Sequence, residues 1–243
     1  MLDEAWLDLA RGVGPWCGVA VLVSALGYLS APSHVDTPEK KAYYGSSTLA
    51  LVHGIFVSIL ALMAGLENGF WTFTWEPWDY HAMTPATARC IHVFLAFLLT
   101  DLVPLFYFRN EWTGTALYIG HHTLSCVAWG DAALNGTCHN VALGLLLCEA
   151  TSPFINGRYF LSTHGANEPC AWPPLTAHGL RPAAPAPPPP GLKSSPLYLY
   201  NGVAMALSFL GLRVLGMGFL GLKLFVVDAA TSHAVLGNKT CGS

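Results

Sequence analysis

Charge is what this chain has least of. Only 10% of its 243 residues are Asp, Glu, Lys or Arg, against roughly 25% in a soluble domain. With 11 Lys plus Arg and a net charge of −3, nothing supports a nucleic-acid surface. The seven cysteines include no CxxC pair and no Cys/His spacing suited to zinc. Histidines occur as a bare HH pair, without the HxxxH or HxxHH spacing that would let one helix supply several ligands to a di-iron centre. Positive charge is missing ahead of the first apolar run, MLDEAWLDLAR, where a secretory leader would carry it. That run is expected to be a retained span. No KDEL-type tail or lipidation box closes the chain, which ends KTCGS. No paired broken repeats of the kind that build transporters are present.

Apolar residues make up 53% of the chain, and its mean hydropathy is +0.46. Six runs, near 13–31, 48–66, 90–108, 115–133, 139–162 and 198–227, each meet the ~20 residues a helical crossing needs. Backbone groups cannot stay unpaired in lipid, and the runs lack the period-2 alternation of a barrel strand. The expected fold is all-α: a polytopic membrane bundle of about six helices. The expected organisation is a tail at 1–12, five spans of one domain at 13–165, a proline-rich linker or insertion at 166–196, a final span at 197–228 and a tail at 229–243.

Basic residues set an orientation. With the N-terminus outside, Lys40, Lys41, Arg109, Arg158, Arg181 and Lys193 fall inside, while Arg11, Arg89 and Lys239 fall outside. The sequons at Asn135 and Asn238 then lie outside, as do Cys138 and Cys241, which a disulfide could join. Cys17, Cys90, Cys126 and Cys148 sit in apolar runs and read as small buried hydrophobes. Residues 67–89 carry Phe70, Trp71, Phe73, Trp75, Trp78 and Tyr80, a composition suited to the headgroup layer. PAAPAPPPP within 167–193 has the composition of an extended linker, with PxxP spacing as its one interaction signal.

Ionisable residues within such runs are functional suspects, because charge at bilayer depth is costly. They are His53, His92, Asp101, His121, His122, Asp131 and Glu149. Glu149, Ser152, Pro153 and Asn156 follow i, i+3, i+4, i+7 and share one helical stripe. Pro153 removes a backbone hydrogen bond and frees the carbonyl of Glu149, so a kink is expected there. Arg158 comes next, near the inner surface, within reach of a lipid phosphate. His121 and His122 diverge by ~100° and cannot share a face. Ser125 continues the face of His121. Asp131 is too distant along the helix to bond His121, which leaves Asp101 or Glu149 as its expected carboxylate partner. A histidine oriented by a carboxylate is a general base. The same groups also serve as interhelical hydrogen bonds worth ~0.6–2 kcal/mol each. A retinal protein would need a lysine deep in a late helix, and Lys223 stands near the end of its run.

The string Leu51-Val52-His53, then Asp101, His121-His122, and Glu149-Ala-Thr-Ser152-Pro153-Phe154-Ile-Asn156-Gly-Arg158-Tyr-Phe160-Leu161, followed by Tyr200-Asn201-Gly202 through Arg213, resembles the TLC-domain membrane family. That family includes the ceramide synthases. The likeness spans roughly 40–165 and 197–225. Ceramide synthases pair the double histidine with a further histidine and paired aspartates. Only Asp131 follows here, so the chain is more similar to the smaller TLC-domain-containing branch.

The resemblance implies a protein that binds or handles lipids and contributes to membrane lipid homeostasis, in the endoplasmic reticulum or plasma membrane. It implies membrane lipids as partners, no resident cofactor or metal, and a homodimer as an open option. His121, His122, Asp101 and Glu149 are the catalytic candidates; His53, Ser125, Asp131, Ser152, Asn156, Arg158 and Arg213 would line a cavity between the second and fifth spans. The alternative is a ceramide-synthase-like N-acyltransferase, with acyl-CoA as donor and a sphingoid base as acceptor.

Overall fold

A computed structural model describes residues 2–69, 83–164 and 195–223. Among these residues every regular element is helical. The order is α1 (Leu2–Ser30), α2 (Pro38–Glu67), α3 (Pro85–Tyr107), α4 (Thr115–Asn135), α5 (His139–Leu147), a 3-10 turn (Cys148–Thr151), α6 (Ser152–His164), α7 (Pro196–Ser208), a π-helical stretch (Phe209–Gly216) and α8 (Met217–Leu222). These segments make six passes of an all-α membrane bundle. The aromatic residues between 70 and 82, the proline-rich segment, Cys241 and Asn238 lie outside the described residues.

Four passes are long and apolar enough to cross a bilayer: 4–30, 38–67, 85–107 and 196–222. Pass four is long enough, but His121, His122, Asp131 and Asn135 dilute its apolar character. The fifth is interrupted. At ~1.5 Å per residue, the 30-residue α2 is about 45 Å long and projects beyond a ~30 Å hydrocarbon core.

The boundaries follow local chemistry. Pro38 and Pro85 open α2 and α3, where a missing N–H costs nothing. Thr84 and Thr87 form a reciprocal capping box. Gly136 ends α4 in the left-handed region, φ 64°, which lets the chain turn back within a few residues. The first helix begins at Leu2, well ahead of the apolar run at 13–31, because MLDEAWLDLAR contains nothing that stops a helix.

The expected continuous fifth helix is broken one step before Pro153. Proline fits the first turn of a helix and disrupts its interior. The backbone tightens into the 3-10 turn at Cys148–Thr151 and restarts at Ser152, placing Pro153 in the first turn of α6.

α3 is the most buried of the four long apolar passes. Over half of its apolar stretch is buried, 56%, against 6% for the last pass. Val57 and Ala61 of α2, Cys90 and Leu98 of α3, and Leu143 and Leu146 of α5 form the core. Small residues let α1 and α2 cross closely: a Cβ on Gly45 would come within 2.6 Å of the Ser24 carbonyl oxygen. At one end of the bundle, Trp112 Nε1 donates to the Glu39 carbonyl at 3.2 Å and Tyr44 bonds His164 at 2.9 Å. At the other, Thr87 shares a 2.8 Å hydrogen bond with His139. Successive passes therefore run antiparallel.

Candidate functional site

Three helices bring a serine, a carboxylate and an imidazole together inside the bundle. Ser46 of α2 donates to Asp101 Oδ1 at 2.5 Å. His122 of α4 places Nε2 at 3.1 Å from Asp101 Oδ2. Asp101 is 7% exposed and His122 6%, so the carboxylate is enclosed with both oxygens occupied. The His122–Asp101 contact is close but out of line, and neither ring nitrogen of His122 makes a hydrogen bond. Catalytic hydrogen bonds often tighten only when substrate arrives.

The helix periodicity explains who faces whom. Ser46 and His53 are seven apart, two turns of α2, and both look toward α3. Phe97 and Asp101 are four apart on α3. Phe97 stacks on His53, with centroids 4.1 Å apart and planes at 7°, and lies 5.7 Å from the His122 ring. His53 is 5% exposed, and its Nε2 has no hydrogen-bond partner. The four residues and the phenylalanine thus form one continuous group.

A second group forms at the break in the fifth pass. Arg213 Nε donates to Thr151 Oγ1 at 3.0 Å, and its Nη2 lies 3.6 Å from Glu149 Oε1. Ser152 donates to the other Glu149 oxygen at 2.7 Å. The wide π turn carries Arg213 across to this cluster; such stretches are rare and often mark functional positions. The Glu149 carbonyl, which Pro153 has no N–H to bond, accepts from the Ser152 N–H instead and lies against Gly54: a Cβ there would stand 2.9 Å from that oxygen. Cys148 also contacts the Leu212 carbonyl at 3.5 Å, and Asn201 donates to the Phe154 carbonyl at 2.9 Å.

The arrangement differs from a single chamber lined by every candidate. His53, Asp101 and His122 form one group; Glu149, Ser152 and Arg213 form another. The carboxylate partner sought for His121 goes to His122. His121 is exposed, because the ~100° between neighbouring positions turns it off the α3-facing side. Ser125 is partly buried on that same flank. Asp131 is exposed near the far end of α4, holds the Asn135 amide at 2.7 Å, and borders a groove of about 620 Å³ between α1, α3 and α4. Asn156 bonds the Ser152 carbonyl within its own helix at 2.9 Å, and Arg158 is exposed over the Tyr198 ring at 4.7 Å. Ser46, Phe97 and Thr151 were not among the sequence candidates. The one signal in the sequence that could have found any of them is the seven-residue spacing of Ser46 from His53.

Among the described residues no group of three or more His, Cys, Asp or Glu is placed to hold a metal ion. His122 and Asp101 provide two such groups, short of a structural site.

The family model for the TLC domain matches residues 44–237. That stretch contains both polar groups and leaves α1 outside. No curated protein and no solved structure matches the chain.

Proposed function

Because the chain belongs to the TLC-domain family, an integral membrane family related to lipids, we propose that this protein binds and handles membrane lipids within its helix bundle. Its setting is lipid homeostasis in the endoplasmic reticulum or plasma membrane. The observation that carries this is the Ser46–Asp101–His122 group, buried between membrane-spanning helices. Ser46 lies eight residues into α2 and His122 seven into α4, so the group sits roughly 10–12 Å along each helix. A ligand reaching such depth comes most readily from the bilayer itself. Ionisable side chains are retained there when they meet a substrate or a proton.

The same geometry favours a second reading, N-acyl transfer from acyl-CoA to a sphingoid base. Asp101 lies against one nitrogen of His122, and Ser46 occupies the other carboxylate oxygen, which fixes the carboxylate. His122 would take the proton from the amine as its nitrogen attacks the thioester carbonyl. The C–S bond then breaks, and the thiolate leaves with a proton. Arg213 and Glu149 are a separate pair in this scheme and have no proton to move.

Two measurements on purified protein test these readings. Wild type should retain lipid through detergent washing, detected by mass spectrometry, and Asp101→Ala should retain less; lipid-free wild type would overturn lipid handling. Supplied with acyl-CoA and a sphingoid base, wild type and His121→Ala should form amide while His122→Ala should not. Equal product from wild type and His122→Ala removes the acyl-transfer reading and leaves lipid handling standing.

A further inference from the structure

The groove of about 620 Å³ between α1, α3 and α4 has a carboxylate toward one end and mostly apolar walls elsewhere. Trp6, Leu9, Ala10 and Val13 form its α1 side, and at ~100° per residue they share one stripe of that helix. Asp8 and Arg11, which pair with each other at 3.2 Å, fall on the opposite face. Asp131 is the one charged side chain among the described residues that line the groove. It is exposed, and the Asn135 amide at 2.7 Å holds its orientation. Trp6 lies near the start of α1 and Asp131 near the end of α4, so ring and carboxylate share the end of the bundle where Thr87 meets His139. From Thr123 to Leu134 the groove follows α4 for roughly 16 Å, about half of a ~30 Å hydrocarbon core. Leu99 and Val127 are exposed along it, so it opens sideways to one leaflet of the bilayer. Neither Asp101 nor His122 is among its walls.

We propose that this groove seats a phospholipid with a choline headgroup, an acyl chain lying along α3 and α4 and the trimethylammonium meeting the Trp6 ring and the Asp131 carboxylate. Indole is the best aromatic partner for a quaternary ammonium, and the carboxylate supplies the opposite charge. A quaternary nitrogen carries no N–H, so a site with one carboxylate and one ring leaves it nothing unsatisfied. A primary ammonium brings three donors, more than this end of the groove accepts once water is displaced. An anionic headgroup would set like charge against Asp131. The lipid phosphate needs no protein cation, because it remains in the headgroup water.

The test uses full-length protein in phosphatidylglycerol vesicles with trace amounts of three phospholipid probes. These share one diazirine-bearing acyl chain and differ only in headgroup: choline, ethanolamine or glycerol. Cross-links are mapped by peptide mass spectrometry. The choline probe should label peptides from Leu9–Val13 and Thr123–Leu134 roughly two- to fivefold more than either other probe, the ratio one exposed cation–π contact provides. Asp131→Asn, which keeps the side-chain size, and Trp6→Leu should each bring that ratio toward one while labelling by the glycerol probe persists. Equal labelling by the choline and ethanolamine probes, or a ratio unchanged in both variants, overturns the headgroup assignment. Groove peptides that no probe labels, in protein that cross-links to itself through α1 and α4, would give the groove to a second copy of the chain and overturn the proposal. Either failure leaves lipid handling at the Asp101 group to its own test, since that group lies outside the groove.

Discussion

Gly54→Ala isolates the close approach of α2 to the broken pass from the general effect of losing a glycine. The added Cβ would meet the Glu149 carbonyl oxygen at 2.9 Å, Ser152 Cβ at 2.9 Å and Pro153 Cδ at 3.0 Å. None of these is the end of a flexible side chain, so relief requires α2 and the start of α6 to move apart. Overpacking of this kind costs about 1–3 kcal/mol. Alanine also gains roughly 0.5–1 kcal/mol as a helix former over glycine. Gly18→Ala, in α1 with nothing within 4 Å of its Cβ, receives the gain alone. Gly54→Ala should therefore be less stable than Gly18→Ala by about 1–3 kcal/mol, measured by equilibrium unfolding in mixed micelles with an increasing mole fraction of SDS. Equal stability of the two variants would refute the close approach of α2 to the broken pass.

Three further outcomes are expected. Thr87→Val removes the hydroxyl that meets His139 at 2.8 Å inside the protein, leaves that ring nitrogen unsatisfied, and should cost ~1–3 kcal/mol in the same unfolding assay. Arg213→Met and Glu149→Gln should each destabilise, and the double variant should cost less than the sum of the two by at least about 0.5 kcal/mol, because each single change strands a partner at membrane depth. Lys40 hydrogen-bonds Asp36 at 3.1 Å and holds its carboxyl below the ordinary value of 3.8. A depressed carboxylate stabilises above its unfolded pKa and loses that contribution as pH falls through the folded one. The pair is exposed, so Asp36→Asn should lower thermal stability at pH 7 only slightly, and that small difference from wild type should vanish as pH falls below about 4.

Membrane helices were legible because a run of ~20 apolar residues has few alternatives in lipid. Pro153 was legible for a similarly local reason: it lacks the N–H that the Glu149 carbonyl would accept from, and the backbone breaks just before it. The rotation of each helix was not local. Nothing in the HH pair tells which ring faces α3, since that depends on how α4 packs; the structure buries His122 and exposes His121. Ser46 passed unnoticed because a serine in an apolar run carries no charge and bonds its own backbone as readily as a neighbour. Arg213 was a cavity-lining candidate only through likeness to the family, and its contact with Glu149 comes from the structure. Its approach depends on the π stretch at Phe209–Gly216, which glycines permit without dictating.

The two polar groups are separate in bonding yet share one neighbour. His53 and Gly54 are adjacent on α2, so their directions differ by ~100°. His53 turns to Phe97, whose ring also lies 5.7 Å from that of His122. Gly54 turns to the carbonyl of Glu149 and the start of α6. Any shift of the broken pass that presses on Gly54 also rotates or displaces the His53 ring, because both hang from the same helical turn. The absence of a Cβ at Gly54 makes that contact backbone against backbone, with no side chain to absorb motion.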